Sequence, residues 1–353
     1  MIILDGIIYS LQKYGGITVY FNELLKRLQE RGEEYVVSLE KPLLQNINLQ
    51  DAARCVERQA RLIERYRTSR SIDGPSNSIF HSTYYRRPSD VRMTTVTTVH
   101  DFVYERHGKS LRRLIHSHQK FASIRHAAAI ICISEATRRD LLELMEDVPQ
   151  DRVHVIHNGV SDTFCPLPER SQGRDRPFLI YVGERRGYKN FSHLLAALQF
   201  LPEFELLCVG GGPIRDEELS GIKPSVRARI RHLGFVTEAE LNERYNAAYC
   251  LVYPSSYEGF GIPVVEAMKA GCPVVSIECD AVMEVGGDAL TIARSLEPES
   301  LVEAVRHLED SAYRKVVIDK GISRAAQFNW RDTHDRTLAV YKQLEAGKLT
   351  GEK

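Results

Sequence analysis

Short runs rich in β-branched and aromatic residues alternate along this chain with stretches of helical periodicity. That alternation restricts the fold to layered α/β architectures with parallel sheets. The strand-like runs are residues 2–9, 79–82, 94–99 and 129–133, then 178–182, 206–209, 251–253 and 273–277. Between them apolar residues recur at i, i+3, i+4 and i+7, as in Phe21, Leu24, Leu25 and Leu28, or Phe191, Leu194, Leu195 and Leu198. Such a stripe belongs to an amphipathic helix, and Gly32 suits the end of the first one.

With 353 residues the chain is over twice the ~150 typical of one domain, so two domains with separate cores are expected. Residues 165–177, with three prolines and a polar run from Glu169 to Arg176, separate the two strand series and mark a linker. The expected organisation is a Rossmann-like domain over residues 1–168, a second over 169–329, and a last helix over 330–353. That helix carries Trp330, Thr337, Val340, Tyr341 and Leu344 near one face and is superfluous to the second sheet.

Several function classes are excluded or disfavoured. The 47 basic residues balance the 47 acidic ones, so no global charge points to nucleic acid. The longest apolar stretches, 130–133 and 250–253, fall far short of the ~20 residues that span a bilayer. The amino terminus runs directly into a strand-like segment without signal-peptide features, which reads as cytoplasmic. Seven scattered cysteines, at 55, 132, 165, 208, 250, 272 and 279, fit buried thiols better than a disulfide framework or a zinc site.

The most informative segment runs from Tyr257 through Glu258, Gly259, Phe260, Gly261 and Pro263 to Glu266, after a buried strand and into a helix. A glycine-rich loop leading into a helix at the carboxyl edge of a parallel sheet presents backbone amides and a positive dipole end, which suit a diphosphate. Glu258 and Glu266 can accept hydrogen bonds from sugar hydroxyls. The plainer reading is that Glu266 complements the helix dipole and Glu258 is solvated.

A second strand-to-helix segment, Gly183 to Asn190, gathers Arg185, Arg186 and Lys189 at a helix start that Asn190 can cap. Cations beside a positive dipole end are unfavourable unless an anion lies between, which suggests phosphate; solvated surface charge is the alternative.

In the first half, Gly15-Gly16 permits close backbone approach to a ligand, or a simple turn. His100, at a strand end with Asp101, either projects into a crevice or is structural. Gly210-Gly211-Gly212 lacks the third glycine of a dinucleotide fingerprint, since position 215 is Arg, and Gly108-Lys109-Ser110 lacks the first glycine of a P-loop. Arg54, Arg58, Arg61 and Arg65 recur at helical spacing, and residues 106–125 hold six Lys or Arg without an acid. Both stretches fit an anionic membrane surface, a phosphate-bearing acceptor, or a solvated helix face.

The pair of glutamates in Glu258-Gly-Phe-Gly-Ile-Pro-Val-Val-Glu266 resembles the signature of retaining GT-B glycosyltransferases, the large glycosyl transferases group 1 family. Gly15-Gly16, His100-Asp101, Ser134 to Thr137, His157 to Val160, Gly183 to Asn190, Gly210 to Pro213 and Gly234 to Val236 extend the resemblance over nearly the whole chain. It implies two Rossmann-like domains facing a cleft, the first on the acceptor side, the second binding a nucleotide sugar, and a final helix crossing back to the first. Glu266 would then bind ribose hydroxyls, while Glu258 and the amides of Gly259, Phe260 and Gly261 hold the donor sugar. Val236 joins the donor contacts, and Arg185 and Lys189 neutralise the diphosphate. Gly15 and Gly16 would approach the phosphates, and His100 the transferring sugar. One departure is Glu184, which stands where relatives often place the phosphate arginine.

The implied reaction is front-side displacement with retained configuration, in which fixed cations stabilise the leaving diphosphate. The chain has no Asp-x-Asp motif, so neither a metal nor another cofactor is expected. The opening Met-Ile-Ile-Leu-Asp-Gly-Ile-Ile-Tyr and the Gly-Tyr-Lys-Asn variant are similar to bacterial enzymes of lipopolysaccharide O-antigen or capsule assembly. That points first to GDP-mannose, with UDP- and dTDP-sugars open, and to a saccharide acceptor, lipid-diphosphate-linked, on the inner face of a membrane. Two other readings stand beside it. A nucleotide-sugar epimerase would convert the donor without an acceptor, and a noncatalytic subunit would bind without turnover.

Overall fold

The computed structural model describes residues 1–13, 15–43, 55–72, 75, 78–107, 111–168 and 176–347. The chain divides into two compact units, Met1–Gly159 with Trp330–Lys353, and Val160–Asn329. Part of the linker read at 165–177 therefore lies outside the described residues, as do Tyr14, Arg54 and Gly108-Lys109-Ser110.

In the first unit the described strands are β1 (Ile2–Leu4), β2 (Tyr35–Lys41), β3 (Cys55–Gln59), β4 (Ile79–Ser82), β5 (Thr94–Val99), β6 (Ala129–Cys132) and β7 (Val153–Val155). They form one parallel sheet in the order β3-β2-β1-β4-β5-β6-β7. A sheet covered on both faces buries its strands from both sides, so central strands read as unbroken apolar runs. Residues 2–9, expected as one strand, instead end β1 at Leu4 and turn into the helix Ile8–Leu11. The turn follows from Gly6, at φ +58°, and from the buried Asp5 carboxylate, which accepts hydrogen bonds from Thr83 N (2.8 Å) and Thr83 Oγ1 (2.6 Å) on the neighbouring strand's loop.

The helix Gly16–Glu30 packs Phe21, Leu24 and Leu28 onto this sheet and ends at Gly32, at φ +64°. Against it lies Trp330–Glu345, the helix that the second sheet has no use for, with Leu338, Tyr341 and Leu344 in the same core. Arg27 ties the two helices with paired bonds of 2.9 and 2.7 Å to the Asp335 carboxylate. Bidentate Arg–carboxylate geometry of this kind fixes orientation as well as adding energy.

The second unit contains β8 (Phe178–Val182), β9 (Glu205–Val209), β10 (Ile230–His232), β11 (Cys250–Tyr253), β12 (Val274–Ile277) and β13 (Leu290–Ala293). Their order is β10-β9-β8-β11-β12-β13, again parallel. The chain winds one way from β8 and the other way from β11, so the strand order reverses between these two neighbours. The seven cysteines form no disulfide, and Cys132, Cys208, Cys250, Cys272 and Cys279 are buried. No helix among the described residues is long and apolar enough to cross a membrane.

Candidate functional site

In open α/β sheets ligands bind beyond the carboxyl ends of the strands where the strand order reverses. In the second unit that position belongs to the loops after β8 and β11, the two segments that carry the cations and the glutamates. The structure brings them together. Lys189 donates to the Glu258 carboxylate at 2.5 Å and to the Tyr253 hydroxyl at 3.1 Å, and both charged side chains are nearly enclosed. Ser256 N donates to Tyr188 O (2.9 Å) and Asn190 Nδ2 to Pro254 O (2.8 Å), so the two loops are stitched on either side of the ion pair. Asn190 thus occupies the position before the helix Phe191–Leu198, but its side chain holds the facing loop rather than capping the helix. Its left-handed φ of 51° is one that Asn tolerates better than most residues.

Arg185 points elsewhere. Its guanidinium pairs with Glu218 at 2.8 Å and donates to the carbonyls of Gly212 (2.5 Å), Pro213 (3.1 Å) and Gly210 (3.4 Å). Only 4% of its side chain is exposed. It clamps the glycine loop after β9, whose Gly211, at φ +65°, lies so close that an added Cβ would meet the Arg185 guanidinium at 2.9 Å. Arg186 is half exposed and pairs with Glu184 at 2.5 Å. Of the three cations in this segment, Lys189 is the one placed at the strand-order reversal.

Gly261, at φ +97°, starts the helix Ile262–Lys269, a backbone conformation that a side chain would strain. Pro263 lacks an N–H and Val264 N already donates to Gly261 O at 2.9 Å, so the amides this helix end can offer a ligand are those of Gly261 and Ile262. Gly259 lies in the preceding bend, and Phe260 is buried edge-on against Phe328. Gly234, Phe235 and Val236 follow β10, and Gly234 O accepts from Gly210 N at 2.7 Å, which joins this loop to the clamped glycine loop. Phe235 is 63% exposed.

Glu266 lies in the same helix, and its Oε2 accepts from the hydroxyl of Tyr245, a fully buried residue of the helix Glu238–Ala247. Glu266 as a residue is partly exposed, yet burial around its carboxyl pushes the pKa up to about 7, with the Tyr245 hydrogen bond opposing that rise and Glu238 adding to it. Sequence reasoning missed Tyr245, Tyr253 and Glu218. Tyr253 sits at the end of an apolar strand and reads there as core, and nothing near Tyr245 or Glu218 along the chain names their partners.

The first unit holds the other expected residues. Gly15, at φ +153°, precedes the helix that Gly16 begins, and a Cβ added at Gly15 would overlap the Gln12 side chain at 1.6 Å. His100 is buried edge-on against Tyr20 at 5.3 Å, and its Nε2 has no hydrogen-bond partner among the described residues. Burial lowers its pKa to about 4, so the ring is neutral at pH 7.

The first basic stretch is not a helix face, and in the second, part of which lies outside the described residues, three of the cations are paired with acids. Arg58 lies in β3, Arg61 in a turn and Arg65 in a single 3-10 turn, where Arg61 pairs with the buried Glu64 at 2.6 Å. Of residues 106–125, Arg106 is bound by Asp140 and Glu143, Lys120 is buried against Glu105 at 2.8 Å, and Arg125 pairs with Asp147. A run that lacks acids along the chain has them supplied by the fold.

Two family models match in tandem. Residues 14–164 match "Glycosyltransferase Family 4" and residues 168–324 match "Glycosyl transferases group 1". The two halves of the chain thus match two glycosyltransferase family models, the second half that of the glycosyl transferases group 1 family. Among relatives, the glycosyltransferase is 29% identical over 315 residues to O-antigen chain mannosyltransferase B of Escherichia coli, covering 82% of each chain. Sucrose-phosphate synthase from Thermosynechococcus elongatus has a similar structure, with a TM-score of 0.76, 18% identity, and coverage of 98% of this chain and 99% of that one. The Anabaena HepE protein, solved in complex with UDP and glucose, gives a TM-score of 0.72 at 16% identity, with coverage of 97% and 98%. Together these likenesses identify the two-sheet architecture as the GT-B fold.

Proposed function

We propose that this glycosyltransferase moves mannose, with retention of configuration, from GDP-mannose to a lipid-diphosphate-linked saccharide in bacterial O-antigen or capsule synthesis. The observation that carries the donor site is the Lys189–Glu258 pair at the strand-order reversal, beside the Gly261 helix start. In the free protein each charge balances the other. An arriving diphosphate competes for Lys189 and releases Glu258 to accept a sugar hydroxyl, with the amides around Gly259, Phe260 and Gly261 beside it. Glu266 accepts the ribose hydroxyls, and Gly234 to Val236 line the nucleoside side. Arg185 serves by holding the glycine loop rather than by touching phosphate. In the first unit, Gly15-Gly16 is the proposed contact to phosphate and His100, as a neutral hydrogen-bonding ring, the proposed contact to the transferring sugar.

The choice of mannose and of an O-antigen acceptor is supported by the similarity to the E. coli O-antigen mannosyltransferase. No metal is required, because fixed positive charge acts on the leaving diphosphate. Incubation with GDP-, UDP- and dTDP-sugars in EDTA, read as free nucleoside diphosphate, tests this. Release from GDP-mannose, stimulated by a lipid-linked glycan extract, is the expected result. Binding without release supports the noncatalytic reading, and an epimerised donor the epimerase.

A membrane-bound acceptor also accounts for the exposed tip of the first unit, where Leu62 is 84% and Ile63 60% exposed and Ile63 holds a left-handed φ of 55°. Among the described residues Arg58 and Arg67 donate to backbone carbonyls, and Arg65 to the Tyr84 hydroxyl while lying over the rings of Tyr66 and Tyr84; none of the three is held by a carboxylate there, so their charges can meet lipid phosphates. The double change Leu62→Asp, Ile63→Asp is expected to weaken binding to anionic vesicles roughly tenfold or more, given the apolar area withdrawn from the bilayer. Equal binding by both proteins in a sedimentation assay contradicts the assignment.

A further inference from the structure

We infer that Tyr245 is the positioning residue of the donor site, its buried phenol holding one oxygen of Glu266 so that the carboxylate meets a pair of neighbouring hydroxyls in one fixed orientation. This rests on the reading of Glu266 as the acceptor of ribose hydroxyls. A carboxylate on a rotatable side chain can present its oxygens in many directions, and recognition of a vicinal diol needs one. Tyr245 supplies that constraint from a separate helix. Its ring is fully buried, packed edge-on to Phe164 at 6.0 Å, and its hydroxyl donates to Glu266 Oε2 at 3.0 Å. The phenol cannot turn away without leaving its slot, whereas the second carboxylate oxygen and the remaining lone pair of the first stay available.

Among the described residues no other side chain hydrogen-bonds to the Glu266 carboxylate. Glu238, on the same helix as Tyr245, is the charged neighbour that Glu266 feels, and it disfavours the ionised form. Lys269, on the helix of Glu266, is turned to Asp162 at 2.7 Å. On the packed helix Ser311–Ala325, Arg314 donates to Tyr249 O, Lys320 pairs with Asp288, and Arg324 donates to the carbonyls of Val285 and Glu284. Tyr245 is therefore the hydrogen-bond donor that the fold supplies to this carboxylate, and burial keeps its own proton in place by raising its pKa well above the ordinary value.

Burial of the Glu266 carboxyl makes donor binding pH-dependent with a defined sign, and the Tyr245 contact tunes it. Ribose hydroxyls bind the ionised carboxylate, so kcat/KM for the donor falls as pH drops through about 7, where Glu266 takes up a proton. Donation from Tyr245 favours the ionised form, and its loss moves that inflection to higher pH.

The test is Tyr245→Phe, which removes one oxygen and keeps the buried ring. We expect the donor KM at pH 8 to rise roughly tenfold, the size typical of a hydrogen bond to a charged group, with kcat nearly unchanged and the inflection moved upward. Because the change could also loosen the helix, 3-fluorotyrosine placed at position 245 provides a second measurement. The more acidic phenol is a stronger donor, and the inflection should move down with the packing intact. An unchanged KM and inflection in both proteins, while Glu266→Ala still raises the donor KM, overturns the role of Tyr245 alone. An unchanged donor KM in Glu266→Ala overturns the ribose reading and the inference with it.

Discussion

Lys189→Ala is expected to lower kcat by roughly 10²- to 10³-fold, the usual loss when one fixed group that stabilises developing negative charge is removed from an enclosed site. Affinity for the nucleoside diphosphate should fall much less. The reason lies in when the charge appears. In the bound donor the diphosphate charge is partly satisfied by the helix-end amides, whereas bond breaking concentrates a further charge on the leaving oxygen, beside the lysine. The free protein stores Lys189 in a nearly enclosed pair with Glu258 and against Tyr253, so its position is set before the donor arrives. Lys189→Arg retains the charge but presents a planar fork where a compact ammonium fits between a carboxylate and a phenol, so it should recover only part of the rate. Steady-state kinetics on the two variants check both statements. Equal losses in nucleotide affinity and turnover would place Lys189 in ground-state binding only.

Arg185→Ala is expected to act on stability first. The guanidinium is almost fully enclosed, and its removal takes one partner from Glu218, which keeps Arg215 at 3.2 Å, and leaves three loop carbonyls without that donor. Losing a set of hydrogen bonds made by one enclosed charged group typically costs about 3 kcal/mol. For a unit of this size that lowers the melting temperature by roughly 10 °C. Removing both partners, Arg185→Ala with Glu218→Ala, should restore part of the loss, since no carboxylate is then left short of its donor. Thermal melts of the three proteins decide the matter. An unchanged melting temperature in Arg185→Ala, accompanied by a large loss of turnover, would return the arginine to the phosphate.

The contrast between these two cations shows where the sequence stops being legible. Lys189 and Arg185 lie four residues apart, both basic and both near a helix start, and nothing local distinguishes them. Their fates are set by Glu258 and Glu218, which are distant along the chain and reach them only through the sheet order. Inner strands were legible because burial on both faces leaves apolar runs, as in β6, β8 and β11, or β-branched ones, as in β5. Of the strands that were not, β3, β7, β10 and β13 are sheet edges; β3 and β10 carry charged residues that protect an open ladder, and β7 and β13 are three and four residues long. The other, β2, carries buried Ser38 and Glu40, and Glu40 pairs with Arg86, which also binds Glu64. The glutamate pair and its glycines were legible because a loop that offers backbone amides needs glycine and a helix start together. The phenols that hold Lys189 and Glu266 were not, since a buried tyrosine looks like core until its hydroxyl partner is known.

The central claim is that the second unit presents a nucleotide sugar for transfer to an acceptor, with Lys189 stabilising the leaving group. Its most direct test follows radiolabelled GDP-mannose, in EDTA, into a lipid-linked saccharide fraction, and reads the anomeric configuration of the new bond by NMR. The account predicts labelled product with the donor's configuration, made by the wild-type protein and reduced at least a hundredfold in Lys189→Ala. Label that binds but never reaches the lipid fraction, or product formed at an undiminished rate by Lys189→Ala, would contradict it.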